Sequence, residues 1–120
     1  MKILQLNMWG GRLENQIKDL IEQEKPNILC LQEAISFSTS DSGLFISVEK
    51  IQTLLDYEYM AAAPVFSMNY MNGSAHFGNF ILSKFPITKS EVVFTRLGHK
   101  DNFNFDDDYN IRNFVHARIK

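Results

Sequence analysis

Two polar residues stand where otherwise apolar runs give way. Asn7 closes Ile3-Leu4-Gln5-Leu6, and Glu33 closes Asn27-Ile28-Leu29-Cys30-Leu31-Gln32. If both runs are strands of one parallel sheet, their carboxyl ends lie side by side, where ligands gather in such sheets. A carboxylate there can ligate a hard cation, and a neighbouring amide can orient a phosphate oxygen or a water. Mg²⁺ suits such a place because it keeps several waters around one or two protein carboxylates. Spacing alone leaves plainer roles open: Glu33 capping a strand against solvent, and Asn7 starting a turn.

The remaining chemistry-bearing residues form no comparable pair. His76 precedes a predicted strand, His99 lies in a polar loop and His116 sits inside the last strand. None is next to an aspartate that would hold it as a general base, which must reach the water it deprotonates. Asp106-Asp107-Asp108 lacks the glycine turn and distal glutamate of a calcium loop and reads as solvated. Phe103 and Phe105 in the same loop could stack on a base or dip into a membrane surface, but anchoring the loop to the core is preferred. Cys30, the single cysteine, lies in an apolar run and reads as a small buried thiol. Met60, Met68, Met71 and the tyrosines nearby read as fillers of core gaps and loop contacts.

Residues 3–8 are expected to form a strand that Gly10-Gly11 breaks. Leu13, Ile17, Leu20 and Ile21 then recur at helical spacing until Pro26, and residues 27–31 read as a strand buried on both faces. Strand, helix and strand make a βαβ unit with parallel strands and a right-handed crossover. Residues 36–43 read as a loop. A helix capped by Ser47 is expected over 47–55, with Val48, Ile51 and Leu55 inward. Residues 57–63, 77–84 and 91–95 read as strands. Residues 64–74 read as a loop whose sharpest turn is Asn72-Gly73, and 98–110 as an exposed loop. From Asn113 the chain alternates, Val115, Ala117 and Ile119 facing one way and Phe114, His116 and Arg118 the other.

A hydrophobic fraction of 45% in 120 residues fits one packed domain. The net charge of −2 argues against binding nucleic acid mainly through a basic field, yet leaves a metal-dependent nuclease open. No run approaches the ~20 apolar residues of a membrane span, and the N-terminus turns polar too early for a signal peptide. A soluble, cytoplasmic protein is therefore expected. The chain stops within its last strand, so residues 1–120 are expected to be the N-terminal portion of a larger domain.

Three segments carry a resemblance. Leu4-Gln5-Leu6-Asn7-Met8-Trp9-Gly10-Gly11 and Lys25-Pro26-Asn27-Ile28-Leu29-Cys30-Leu31-Gln32-Glu33 come first, and Gly78-Asn79-Phe80-Ile81-Leu82-Ser83-Lys84-Phe85-Pro86-Ile87 follows. In that order they resemble the opening half of the endonuclease/exonuclease/phosphatase family. The resemblance implies an α+β fold, a mixed sheet with flanking helices that makes about half of a four-layer α/β/β/α sandwich. It also implies a hydrolase of phosphoester bonds that uses Mg²⁺ or Mn²⁺. By that analogy Glu33 is a metal ligand, Asn7 supports the metal or the scissile phosphate, and Arg112, opening the last strand, contacts phosphate. An ordinary strand arginine fits Arg112 equally well. The family's aspartate–histidine pair and Asp-x-Asn motif are expected beyond Lys120, so the chain is expected to be inactive alone. The substrate is a phosphoester, either nucleic acid or a small phosphorylated molecule. The alternative is a non-catalytic or split-enzyme half. Its exposed sheet face would meet a C-terminal half on another chain, or a second copy in a homodimer.

Overall fold

The computed structural model describes residues 1–38, 45–70, 72–96 and 112–120, the side chains at 96 and 112 excepted. In chain order come β1 (Ile3–Asn7), a 3-10 turn (Trp9–Gly11), α1 (Glu14–Glu24), β2 (Ile28–Phe37) and α2 (Val48–Leu54). Then follow β3 (Tyr59–Tyr70), β4 (Gly73–Ser83), β5 (Ile87–Arg96) and β6 (Arg112–Ile119). One sheet has the order β1-β2-β4-β3, and β5 and β6 form a second. The architecture is α+β: a mixed four-stranded sheet, two helices and a small second sheet, consistent with part of a sandwich.

Strand alternation decides what each face carries. Leu4 and Leu6 of β1 share a face with their parallel register partners Leu29 and Leu31 of β2. That face continues through Leu82 and Phe80 of β4, their antiparallel partners. Against it pack Ile17 and Ile21 of α1, Val48 and Ile51 of α2, and Met8, Ile46 and Tyr57 from the connections. Leu29, Ile46, Val48, Ile51 and Leu82 lose all contact with water, so the core lies between this sheet face and the helices.

The helix ends are set locally. Lys25 takes a left-handed conformation and its N–H donates to Ile21 O at 2.8 Å, closing α1 just before Pro26. Ser47 caps α2, its hydroxyl accepting from Lys50 N at 3.1 Å, as its sequence position predicts. Glu49 in the first turn of α2 accepts from the Ser36 hydroxyl and from Phe37 N (3.3 Å), tying the helix to the far half of β2.

The second sheet packs on the other face of β3 and β4. Asn113 of β6 is only 8% exposed and holds the join. Its amide donates to Pro64 O (3.0 Å), while its backbone and side-chain oxygens accept from Asn79 at 2.8 and 2.9 Å. The expected alternation in β6 is present: Val115, Ala117 and Ile119 are half-buried, and Phe114, His116 and Arg118 are exposed.

Three expectations need correction. Residues 64–70 and 73–76 are not a loop but the outer part of a long β3–β4 hairpin, so His76 lies inside β4. Pro64 looked like a breaker, but β3 is an edge strand with a bulge between Pro64 and Phe66, where a missing N–H is tolerated. Stacked rings of Phe66 and Phe77 (5.1 Å) and a Phe37–Tyr70 contact extend the pairing outward. Ser36 and Phe37 likewise belong to β2 rather than to a loop. Met60 and Met68 are exposed, not gap fillers. Met71 and residues 39–44 lie outside the described residues.

Candidate active-site rim

The parallel ladder of β1 and β2 ends at the pair Asn7↔Gln32. Glu33 is the next residue, so the expected juxtaposition with Asn7 holds. Its setting differs from expectation, because β2 does not end at Glu33. The strand continues to Phe37, paired now with β4 alone, and its register against β4 shifts through a bulge between Leu31 and Ala34. Inside that bulge Glu33 has φ +49°. A left-handed backbone is costly for a residue with a Cβ, by roughly 1–2 kcal/mol, and bulges commonly re-aim side chains beside active sites. The Glu33 side chain is exposed, and no hydrogen bond or ion pair engages it among the described residues.

On the β1 side the chain turns sharply. Met8 N donates back to Gln32 O (2.7 Å), and Trp9 N donates to Asn7 Oδ1 (2.9 Å). Asn7 therefore does start a turn, the plainer reading of its position. The two roles are compatible, because a carbonyl oxygen has a second lone pair and the amide nitrogen remains available as a donor. Trp9, Gly10 and Gly11 all have positive φ (46°, 68° and 79°). Gly11 is fixed by contact as well as by conformation: its carbonyl accepts from Ile46 N (3.0 Å), and a Cβ there would collide with the Ile46 backbone. The turn is thus clamped to the residue leading into α2.

Two side chains at this rim had no role assigned from sequence. Trp9 is 57% exposed, and the Arg12 guanidinium carbon lies 5.2 Å from its ring centroid. The available signal was the spacing itself, an asparagine two residues before a bulky residue that precedes Gly-Gly.

A hard cation fits the Glu33 carboxylate by donor type, but the chain supplies few ligands: among the described residues no group of three His, Cys, Asp or Glu could hold a metal. The two described histidines are engaged elsewhere. His76 bonds Ser67 Oγ at 2.6 Å and Ser74 Oγ at 3.2 Å, and His116 bonds Glu91 at 2.9 Å. Cys30 is half-buried, and burial pushes its thiol up, away from nucleophilic use. Arg112 opens β6, but its side chain lies outside the described residues, as do His99, Phe103, Phe105 and Asp106-Asp107-Asp108. Asp108-Tyr109-Asn110 in that stretch has the Asp-x-Asn spelling that was expected only further on, and it too lies outside the described residues.

No helix among the described residues is long and apolar enough to cross a membrane. Neither the curated proteins nor the solved structures contain a match to the chain. The family model described as "Endonuclease/Exonuclease/phosphatase family" matches residues 4–118, nearly the whole length. Asn7 and Glu33 at the end of the parallel ladder, the bulged β2 and the Gly78–Ile87 segment all fall within that match, and the chain belongs to the endonuclease/exonuclease/phosphatase family.

Proposed function

We propose that these residues carry the metal- and phosphate-facing part of a divalent-metal-dependent phosphoester hydrolase, with Glu33 as metal ligand and Asn7 beside it. The family is one of phosphoester hydrolases. The observation that carries the finer reading is the backbone of Glu33: an exposed carboxylate is held in a left-handed bulge at the end of the parallel pair. Strain of this kind persists where surrounding structure over-determines it, and it concentrates at functional sites.

When bound, Mg²⁺ or Mn²⁺ supplies polarisation of a phosphoryl oxygen and offsets developing negative charge. The Glu33 carboxylate would hold that cation, with the free lone pair of Asn7 Oδ1 within the same rim. The Asn7 amide nitrogen would donate to a phosphate oxygen, and the Asx turn through Trp9 N fixes its orientation. Arg112 would add a phosphate contact from β6. The 120 residues alone are proposed to be inactive; among the described residues His76 pairs with serines and His116 with a glutamate, not with an aspartate. In the protein that includes the general base, Glu33→Gln should lower kcat about a hundredfold or more, since the cation supplies several kcal/mol. Turnover of bis-p-nitrophenyl phosphate with Mn²⁺ measures this, and retained activity would remove Glu33 from the role.

A second reading has its own observation. On the two-stranded sheet, Val93 and Phe114 on one face and Val92 and Phe94 on the other are all 39–50% exposed. Apolar exposure of this kind suits further polypeptide, either the rest of the domain, a C-terminal half on another chain, or a second copy. Light scattering distinguishes self-association from a monomer that waits for a partner.

A further inference from the structure

We propose that Trp9 and Arg12 form a subsite beside Glu33 that stacks a planar heteroaromatic ring next to the bound phosphate. The substrate is then a nucleotide-type phosphoester rather than a polyol phosphate; the inference rests on the phosphoester reading above.

Three observations converge on this rim. Trp9 adopts φ +46°, a conformation that glycine or asparagine enters easily and a bulky side chain does not. More than half of the residue's surface is in water, so burial does not offset that cost. Neither local preference nor core packing accounts for a tryptophan here. Its position is nevertheless fixed, because Asn7, the residue that borders Glu33, accepts the Trp9 N–H.

Arg12 supplies the second element. Its guanidinium lies over the indole at 5.2 Å, and among the described residues no carboxylate pairs with it. A guanidinium with its donors free presents a fork that matches phosphate oxygens. An exposed aromatic face accepts any nucleobase by stacking, without reading its sequence. Ring, cation and carboxylate are therefore brought to one edge by a turn that follows β1 and a bulge that interrupts β2. A polyol headgroup offers nothing for the indole face to stack upon.

Trp9 is the only tryptophan, so intrinsic emission reports this residue alone. The 120-residue chain is titrated, without added metal, with adenosine monophosphate and separately with glycerol phosphate as a ring-free phosphate. Saturable quenching by the nucleotide and none by glycerol phosphate is expected. By calorimetry Trp9→Ala should weaken nucleotide binding about tenfold, the scale of one base–aromatic stack, while Trp9→Phe keeps most of the affinity. Arg12→Gln should weaken both phosphates. Thermal midpoints of the Trp9 variants should match the parent, whereas a packing role would lower them. Absent or equal quenching by the two ligands, or a Trp9→Ala affinity within about twofold of the parent, overturns the subsite. If Mn²⁺ still binds at Glu33 in that event, the subsite fails and the phosphoester reading stands.

Discussion

The helix-covered face of the four-stranded sheet and the rim beyond β1 and β2 are built to different ends. On the helix side, Leu29, Leu31, Leu82, Val48 and Ile51 are sealed from water and sit in relaxed strand or helix backbone. Around the rim beyond β1 and β2, Trp9 and Glu33 are exposed and both take left-handed backbone. One region maximises burial and the other tolerates strain at polar or water-facing residues. The strain persists because its neighbours are tied down: Gly11 to Ile46, Met8 to Gln32, and the far half of β2 to Glu49. Stability is thus concentrated on the helix side, and the rim is positioned by it.

The largest effect should come from the helix side. Leu31→Ala should cost about 2–5 kcal/mol in chemical denaturation, whereas Ile3→Ala, on the open face and 57% exposed, should stay within about 0.5 kcal/mol. Equal losses would show that the open face is not open in solution. Next is Gly11→Ala, which must enter a positive φ and meet the Ile46 backbone; about 1–3 kcal/mol is expected.

Tyr57→Phe is the next smaller test. The hydroxyl donates to Pro26 O at 2.8 Å, and burial raises the phenol pKa to about 12. Removing it strands a buried carbonyl at a cost of about 1–2 kcal/mol. Glu33→Gly separates the two regions most sharply. It relieves left-handed strain of roughly 1–2 kcal/mol while adding chain entropy of about 0.5–1 kcal/mol, so stability should hold or rise slightly although the proposed ligand is lost. A clear destabilisation would mean that Glu33 supports the fold instead.

The smallest effect lies on the exposed side of the second sheet. The hydrogen bond from His116, and then the charge of Lys89, hold the Glu91 carboxyl below its ordinary value. A lowered folded pKa means that the native state binds fewer protons than the unfolded chain. The contribution is therefore present above the ordinary glutamate range and lost as pH falls through the lowered value. His116→Gln should remove most of that contribution, lowering stability slightly at neutral pH and flattening the acid side of the stability–pH curve, with no change below the lowered value.

Much of the helix side was legible from periodicity: Ile17 and Ile21, Val48 and Ile51, the Ser47 cap and the parallel pairing of β1 and β2 all follow from spacing and turn chemistry. The juxtaposition of Asn7 and Glu33 was legible, although Glu33 lies inside β2 rather than at its end, and the family was legible from three segments. The bulge was not, because a register shift depends on pairing across the sheet, and at Glu33 β2 loses β1 while keeping β4. The hairpin beyond Pro64 was hidden by a residue that breaks central strands but not edges. Trp9 and Arg12 were hidden because a local turn, not a periodic pattern, brings their side chains together.

The most direct test of Glu33 as the metal ligand is paramagnetic broadening by Mn²⁺ in amide-resolved spectra of the chain and of Glu33→Gln. Selective broadening around Asn7, Gln32 and Glu33 that disappears in the Gln variant is the predicted result. Broadening that persists unchanged in Glu33→Gln, or that centres on the acidic run at Asp106, would contradict it.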